Sequence, residues 1–470
     1  MKQTQELTRL LGERITQRVF EQLPSVAVST AILGFTDCIG VMIAGSREDA
    51  TRLLDAALDA PAGRCELGFA GRSARPAEAA WINGTAAHAL DFDDAALRSH
   101  PSAVMVPAIL AEAQDQGASG RDMLTAYVVG YETWADLVYR DAQQHVRKGW
   151  HPTAVFGTVG AAAACASLRR LPANKAAHAL ALAASQSAGL VANFGSMTKP
   201  FHAGRAAHAG LVSARLADAG FTGSPDAIEG PQGLLIALSP EGCVDLELPL
   251  LPQGQWHIAR CGLSVKKYPM CFCTHRATDA LLEIRAQLLP RVREISHIVA
   301  HISRRNALIL RNHVPTTTLE AKFSMEFALA AAILAGNVSF TELQEDFIGR
   351  PDVRELMARV KVHPLDEEDP MSGHAPFDWV TVHMEDGSSI ESRRLRHARG
   401  SFEDPLDTNE LKTKFLACLD YADIGLVGEE LFGTLLRLDA LDSAWDLHSS
   451  RFHKLELTWR KTQTDGPAER

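Results

Sequence analysis

Between about residue 80 and residue 220 the chain is unusually rich in alanine and glycine, set in segments of helical period with no alternating apolar–polar run. Small side chains let backbones approach closely, so this stretch reads as tightly packed helices with little bulk at their contacts. The punctuation agrees: Pro24 opens an apolar segment that Gly45 closes, the usual arrangement at the two ends of a helix. Further helices are expected at about Ala77–Leu90, Val104–Gln116, Gly120–Tyr139, Gly157–Leu168, Lys175–Phe194 and His202–Gly220. The first half is therefore read as all-α.

The pattern changes after about Cys261. Ile295–Ser303 alternates and is rich in β-branched residues, which makes it a strand. Val360–His363 is a short strand, and Trp379–Met384 turns back through Asp386-Gly387 into Ser388–Arg394 as a hairpin. Helices at about Thr274–Leu288 and Ala321–Ala335 lie among these strands. The tail is helical again at Asp407–Leu419 and Gly425–Leu435. The expected fold is mainly α with a smaller α/β domain: residues 1–262 as the first part of a large helical domain, 263–395 as the α/β domain, and 396–470 returning to the helices.

A net charge of −10 argues against a general nucleic-acid binder, so any anion site must be a local concentration of cations. The eight cysteines are scattered, and Cys271-x-Cys273 has the wrong spacing for a zinc knuckle or a redox pair. Reduced thiols in a cytoplasmic protein follow. The run Val26–Ala44 is interrupted by Ser29, Thr30, Thr36 and Asp37, and reads as a buried helix rather than a membrane span.

Four segments concentrate chemistry. His88-Ala-Leu-Asp91-Phe-Asp93-Asp94 precedes His100-Pro101-Ser102, and the three close carboxylates should raise the pKa of at least one if desolvated. Trp150-His151-Pro152-Thr153 repeats the His-Pro-hydroxyl pattern before an apolar helix. Gly195 to His208 packs Lys199, His202, Arg205 and His208 among small residues, with Pro200 expected to hold Lys199 outside the helix. Lys266-Lys267-Tyr268-Pro269-Met-Cys-Phe-Cys-Thr274-His275 precedes a helix in the α/β part. Cations beside carboxylates and imidazoles suit proton transfer next to a substrate carboxylate. A metal site built from His88, Asp91, Asp93, His100 and His151 is the alternative, but no strict ligand spacing such as H-E-x-x-H is present.

Together, in this order and spacing, the four segments resemble the MmgE/PrpD family of 2-methylcitrate dehydratases, cis-aconitate decarboxylases and iminodisuccinate epimerases, over nearly the whole chain. The resemblance implies a discontinuous helical domain and a smaller α/β domain with the active site between them, a homodimer, and no cofactor or metal. It implies Asp93, His151, Lys199 and His275 as catalytic residues, with His100, His202, Arg205, Lys267 and Tyr268 binding substrate. The expected reaction is proton abstraction α to a carboxylate of a small di- or tricarboxylate, foremost a 2-methylcitrate dehydratase-like elimination. Epimerisation of an iminodisuccinate-like dicarboxylate is the alternative, ahead of cis-aconitate-type decarboxylation and metal-dependent hydrolysis. Three departures weigh against decarboxylation or against a third substrate carboxylate: Ala95 where a threonine is common, Phe327 where a tyrosine is expected, and Glu326 beside it.

Overall fold

The computed structural model describes residues 6–141, 144–367 and 375–449. The chain divides into two compact units, one of Met1–Leu263 with Thr408–Arg470 and one of Ser264–Asp407. Residues 450–470, the last part of the segment expected to return to the helices, lie outside the described residues.

The larger unit is helical. Its centre is the Thr198–Asp218 helix, which packs along Pro76–Ala89 on one side and Pro152–Leu168 on another. Gly120–Asp141 packs on Pro152–Leu168, and Pro101–Gln116 fits among them. The small residues have a measurable purpose where the first two helices meet. A Cβ on Gly204 would lie 2.2 Å from both Thr85 Oγ1 and the Trp81 carbonyl oxygen, so only glycine permits this approach. Ser25–Gly45 is the one helix among the described residues long and apolar enough to cross a membrane. Here it packs against Pro76–Ala89, Pro101–Gln116 and Thr408–Tyr421, and its second half is buried.

Several boundaries differ from expectation, each for a local reason. Helices begin at Pro101 and Pro152, several residues earlier than the apolar periodicity suggested, because proline is well suited to the first helical turn. Lys199 and Pro200 lie inside the Thr198–Asp218 helix, so Pro200 occupies its first turn instead of excluding Lys199. The helix starting at Ala173 stops at Ala184, where Ser185-Gln-Ser-Ala-Gly189 supplies turn-forming residues. The all-α reading also missed a two-stranded antiparallel ribbon, Ala62–Leu67 with Arg72–Ala74. Gly68 and Gly71, both at positive φ, allow that turn, and a register break between Ala62 and Cys65 hides the alternation.

The smaller unit holds a four-stranded sheet in the order Val360–Leu365, Ile295–Ser303, Trp379–Met384, Ser389–Glu391. The first pair is parallel and the others antiparallel. Ile295, Ile298, Ala300 and Ile302 face a core shared with His275–Leu288 and Met325–Ala335. The architecture is thus mainly α with a smaller α/β domain.

Candidate active site

The site of the larger unit is built on helix ends. His88 lies in the last turn of Pro76–Ala89, while His100 and His151 are the residues immediately before Pro101–Gln116 and Pro152–Leu168. The loop between His88 and His100 is folded tightly. Asp91 sits at φ +53°, and Leu97 and Arg98 at φ +50° and +60° are the two central residues of a turn closed by Ala96 and Ser99, whose amides and carbonyls bond at 3.0 and 2.8 Å. Left-handed conformations cost non-glycine residues of order 1–2 kcal/mol each, and such strain persists where the surroundings over-determine it. Here the tight turn returns the chain so that His100 meets Asp93.

Asp93 is fully buried and serves two imidazoles. His88 Nδ1 lies 3.0 Å from each of its oxygens, and His100 Nδ1 lies 3.1 Å from Oδ2 and 2.9 Å from the Asp94 carbonyl. Carboxylate and carbonyl oxygens only accept, so both rings carry a proton on Nδ1 and donate it. Burial pulls the His88 imidazole down to about 4, against the pull of Asp93, so that ring is neutral at pH 7. Its Nε2 is then a buried lone pair with no hydrogen-bond partner among the described residues. Burial would push the Asp93 carboxyl up, but the two imidazoles outweigh it and hold the group well below the usual carboxylate range. Asp94 goes the other way: burial first and the Asp37 charge second push its carboxyl well up. The upward shift expected among the three close aspartates thus falls on Asp94, through burial and Asp37 more than through its neighbour Asp93.

The cation of the site is Lys199. Its ammonium lies 2.5 Å from Asp91 Oδ1 and 5.6 Å from the Phe194 ring centroid. His202, one helical turn further on, brings Nδ1 to 3.1 Å from Nδ1 of His151, so one of these rings donates and the other accepts. Burial lowers both imidazoles, with Lys199 adding to the effect in each. Of the two rings on Asp93, the His100 side chain is 17% exposed whereas that of His88 is fully covered. His88, Asp91, Asp93 and His100 present ligand atoms within 4.8 Å of one another and could hold a cation, yet the Lys199 ammonium already supplies one there.

Five of the sequence-derived site residues, Asp93, His100, His151, Lys199 and His202, therefore lie in one cluster. Arg205 does not join it. It is turned about 120° from Lys199 around the helix, donates to His208 Nδ1 at 2.6 Å, and lies over the Trp81 ring at 5.4 Å. Lys267, Tyr268 and His275 belong to the smaller unit and form a group of their own. Tyr268 is buried and donates to Asp279 Oδ1 at 2.7 Å, with Lys267 Nζ 3.4 Å from the same oxygen. His275 is the first residue of its helix, packed against Tyr268 and Phe272 with ring centroids 5.1 and 4.9 Å apart. Phe327 is wholly buried in the core of that unit, and Glu326 accepts from His313 at 2.8 Å. Sequence reading named His88 as a metal ligand at most. Its spacing of five residues before Asp93, across a helix end, was the signal for its pairing with that carboxylate.

Comparison with known proteins matches two family models along the chain: the MmgE/PrpD N-terminal domain over residues 9–246 and the MmgE/PrpD C-terminal domain over residues 268–423. Among curated relatives, the cis-aconitate decarboxylase of Mus musculus is 31% identical over 358 residues, covering 73% of this chain and 71% of that protein. The Homo sapiens enzyme of the same name is 30% identical, covering 73% and 72%. That of Aspergillus terreus is 24% identical, covering 74% of each chain. With both family domains matched, and with relatives at this identity over more than two thirds of its length, the chain belongs to the MmgE/PrpD family.

Proposed function

We propose that this chain is a lyase that needs no cofactor and acts on a small polycarboxylate, with decarboxylation of a cis-aconitate-type unsaturated tricarboxylate as its reaction. The observation that carries this reading is the shared carboxylate: Asp93, buried and ionised, accepts a hydrogen bond from His88 and one from His100, beside the Lys199–Asp91 pair. Asp93 has both oxygens engaged by imidazoles, so it serves better as the group that orients His100 than as the direct proton acceptor. This gives a specific role to Asp93, which the family resemblance implied only as a catalytic residue.

The chemistry follows from the charges. In decarboxylation the bond to the departing carboxylate breaks and its electron pair moves into the conjugated alkene. A new C–H bond then forms at the far alkene carbon, carbon dioxide leaves, and the proton comes from the His100 imidazolium and is replaced from water. Asp93 stabilises that imidazolium, as an anion hydrogen-bonded to a ring does. Lys199, kept in place by Asp91, binds a retained carboxylate and bears part of the charge that develops on it. His151 and His202, held neutral by burial, line the same cluster as hydrogen-bonding groups.

The names of the relatives favour decarboxylation over the elimination that the sequence alone put first. Elimination of the 2-methylcitrate type is the second reading, favoured by Phe327, which offers no hydroxyl where a decarboxylase is expected to carry a tyrosine. Epimerisation ranks after it. A homodimer and a cytoplasmic location complete the proposal, the former checked by light scattering.

The test is product analysis on chelator-treated enzyme offered cis-aconitate, 2-methylcitrate, citrate and iminodisuccinate. Carbon dioxide release with a methylene-bearing dicarboxylate from cis-aconitate supports the proposal. An alkene from 2-methylcitrate supports the second reading, and turnover that vanishes with chelator overturns both.

A further inference from the structure

Beneath the acidic loop lies a second lysine, drawn from more than three hundred residues away. Lys414 belongs to the Thr408–Tyr421 helix, the first element after the chain returns to the larger unit, and its side chain is 4% exposed. Its ammonium lies 2.6 Å from Asp37 Oδ1 on the Ser25–Gly45 helix, donates to the Phe92 carbonyl at 2.8 Å, and sits 4.0 Å from the Phe92 ring centroid. Phe92 stands between Asp91, strained at φ +53°, and Asp93. A buried ion pair is by itself weak evidence for stability, since apolar residues of equal volume often serve as well. The bond to a backbone carbonyl inside a strained loop is what an apolar replacement would lose.

We infer that Lys414 is a positioning residue: by clamping the Phe92 carbonyl it sets Asp91 under Lys199 and Asp93 under His88 and His100. The inference rests on the acid–base reading of that cluster. Lys414 touches none of the reacting groups itself and works through the loop. One cation thereby joins three distant parts of the chain, since the helix with Asp37, the loop with Phe92 and the helix with Lys414 are held at one ammonium. Asp37 is also the charge that, after burial, pushes the Asp94 carboxyl up, so the clamp and that shift belong to one arrangement.

The test uses the full chain with Lys414→Met, Lys414→Arg and the double variant Asp37→Asn/Lys414→Met. Two readouts are taken: amide hydrogen exchange of a peptide covering residues 88–100 without substrate, and kcat and KM for cis-aconitate. Lys414→Met should lose about tenfold in protection of that peptide. Its kcat should fall about 100-fold while KM stays within about threefold, because misplacing a catalytic pair by an ångström has that effect. Lys414→Arg should recover part of both. The double variant, which leaves no unpaired buried charge and carries the test if Lys414→Met does not fold, should remain as poorly protected and as slow. Protection and kcat of Lys414→Met within threefold of the parent would overturn the inference. Recovery of kcat in the double variant would do the same, because Lys414 would then only neutralise Asp37. If the parent turns over none of the polycarboxylates, the functional reading has failed, and the exchange readout alone decides the clamp.

Discussion

Asp93→Asn is the substitution whose consequence the geometry fixes most closely. The amide has the size of the carboxylate but brings no charge, and its nitrogen cannot accept the N–H of a ring. Asp93 now accepts from His88 at 3.0 Å and His100 at 3.1 Å with no exposed surface. Hydrogen bonds to a charged group are worth roughly 1.5–3 kcal/mol each, so two of them amount to about 3–6 kcal/mol. That sum is largest when His100 carries the proton it is to deliver, so the loss falls mainly on the transition state. At 1.36 kcal/mol per decade it corresponds to a fall in kcat of about 10²- to 10⁴-fold. The assay is carbon dioxide release from cis-aconitate under saturating substrate, with far-ultraviolet circular dichroism to show that the helices persist. A variant that keeps kcat within about threefold of the parent would refute the shared-carboxylate argument, since neither ring could then depend on the charge.

Lys199→Ala should leave the fold intact, because the ammonium is partly exposed at a helix start, and should lower kcat/KM for cis-aconitate by at least about 100-fold; retention of kcat/KM would remove Lys199 from the mechanism. The contribution of the buried His88 to stability should fall on acidification. The folded chain refuses a proton at His88 until about pH 4 whereas the unfolded chain takes it up near 6.5, so this contribution is whole above 6.5 and is lost as pH drops towards 4. Between pH 7 and 5 the parent should lose about 2 kcal/mol more by urea unfolding than His88→Gln does, a comparison that cancels the opposite contribution of the raised Asp94 carboxyl, and an equal loss in the two would contradict the burial argument. Gly204→Ala forces a Cβ to within 2.2 Å of Thr85 Oγ1 and the Trp81 carbonyl oxygen. Overpacking of this kind should cost about 1–3 kcal/mol by urea unfolding, and a neutral result would mean that the helix crossing is looser than it stands.

What the sequence made legible divides along physical lines. Local composition announced the helices of the larger unit and the Ile295–Ser303 strand, because period and small-residue content are properties of contiguous stretches. The acid–base residues were legible as types, since aspartates, His-Pro pairs and a lysine among glycines and alanines are rare company. Which side of a helix faces the cluster was harder to read: Lys199 and His202 point one way, and Arg205, three residues further, stacks on Trp81 instead. The pairing of His88 with Asp93 needed the left-handed turn at Asp91, which a non-glycine sequence does not announce. Lys414 and Asp37 were out of reach, because a lysine in a C-terminal helix and an aspartate in an apolar one acquire meaning only when folding joins them at Phe92. The short ribbon at Ala62–Ala74 escaped because its register break spoils the alternation.

The central claim is proton delivery to carbon by His100, hydrogen-bonded to Asp93, in an enzyme that needs no cofactor. It is tested most directly by proton NMR of cis-aconitate with chelator-treated enzyme in deuterated buffer. The claim predicts loss of the vinyl signal and growth of a methylene-bearing dicarboxylate that carries a single deuterium at the newly protonated carbon, with the rate collapsing in His100→Gln. An unchanged spectrum, or a product formed at full rate by His100→Gln, would contradict it.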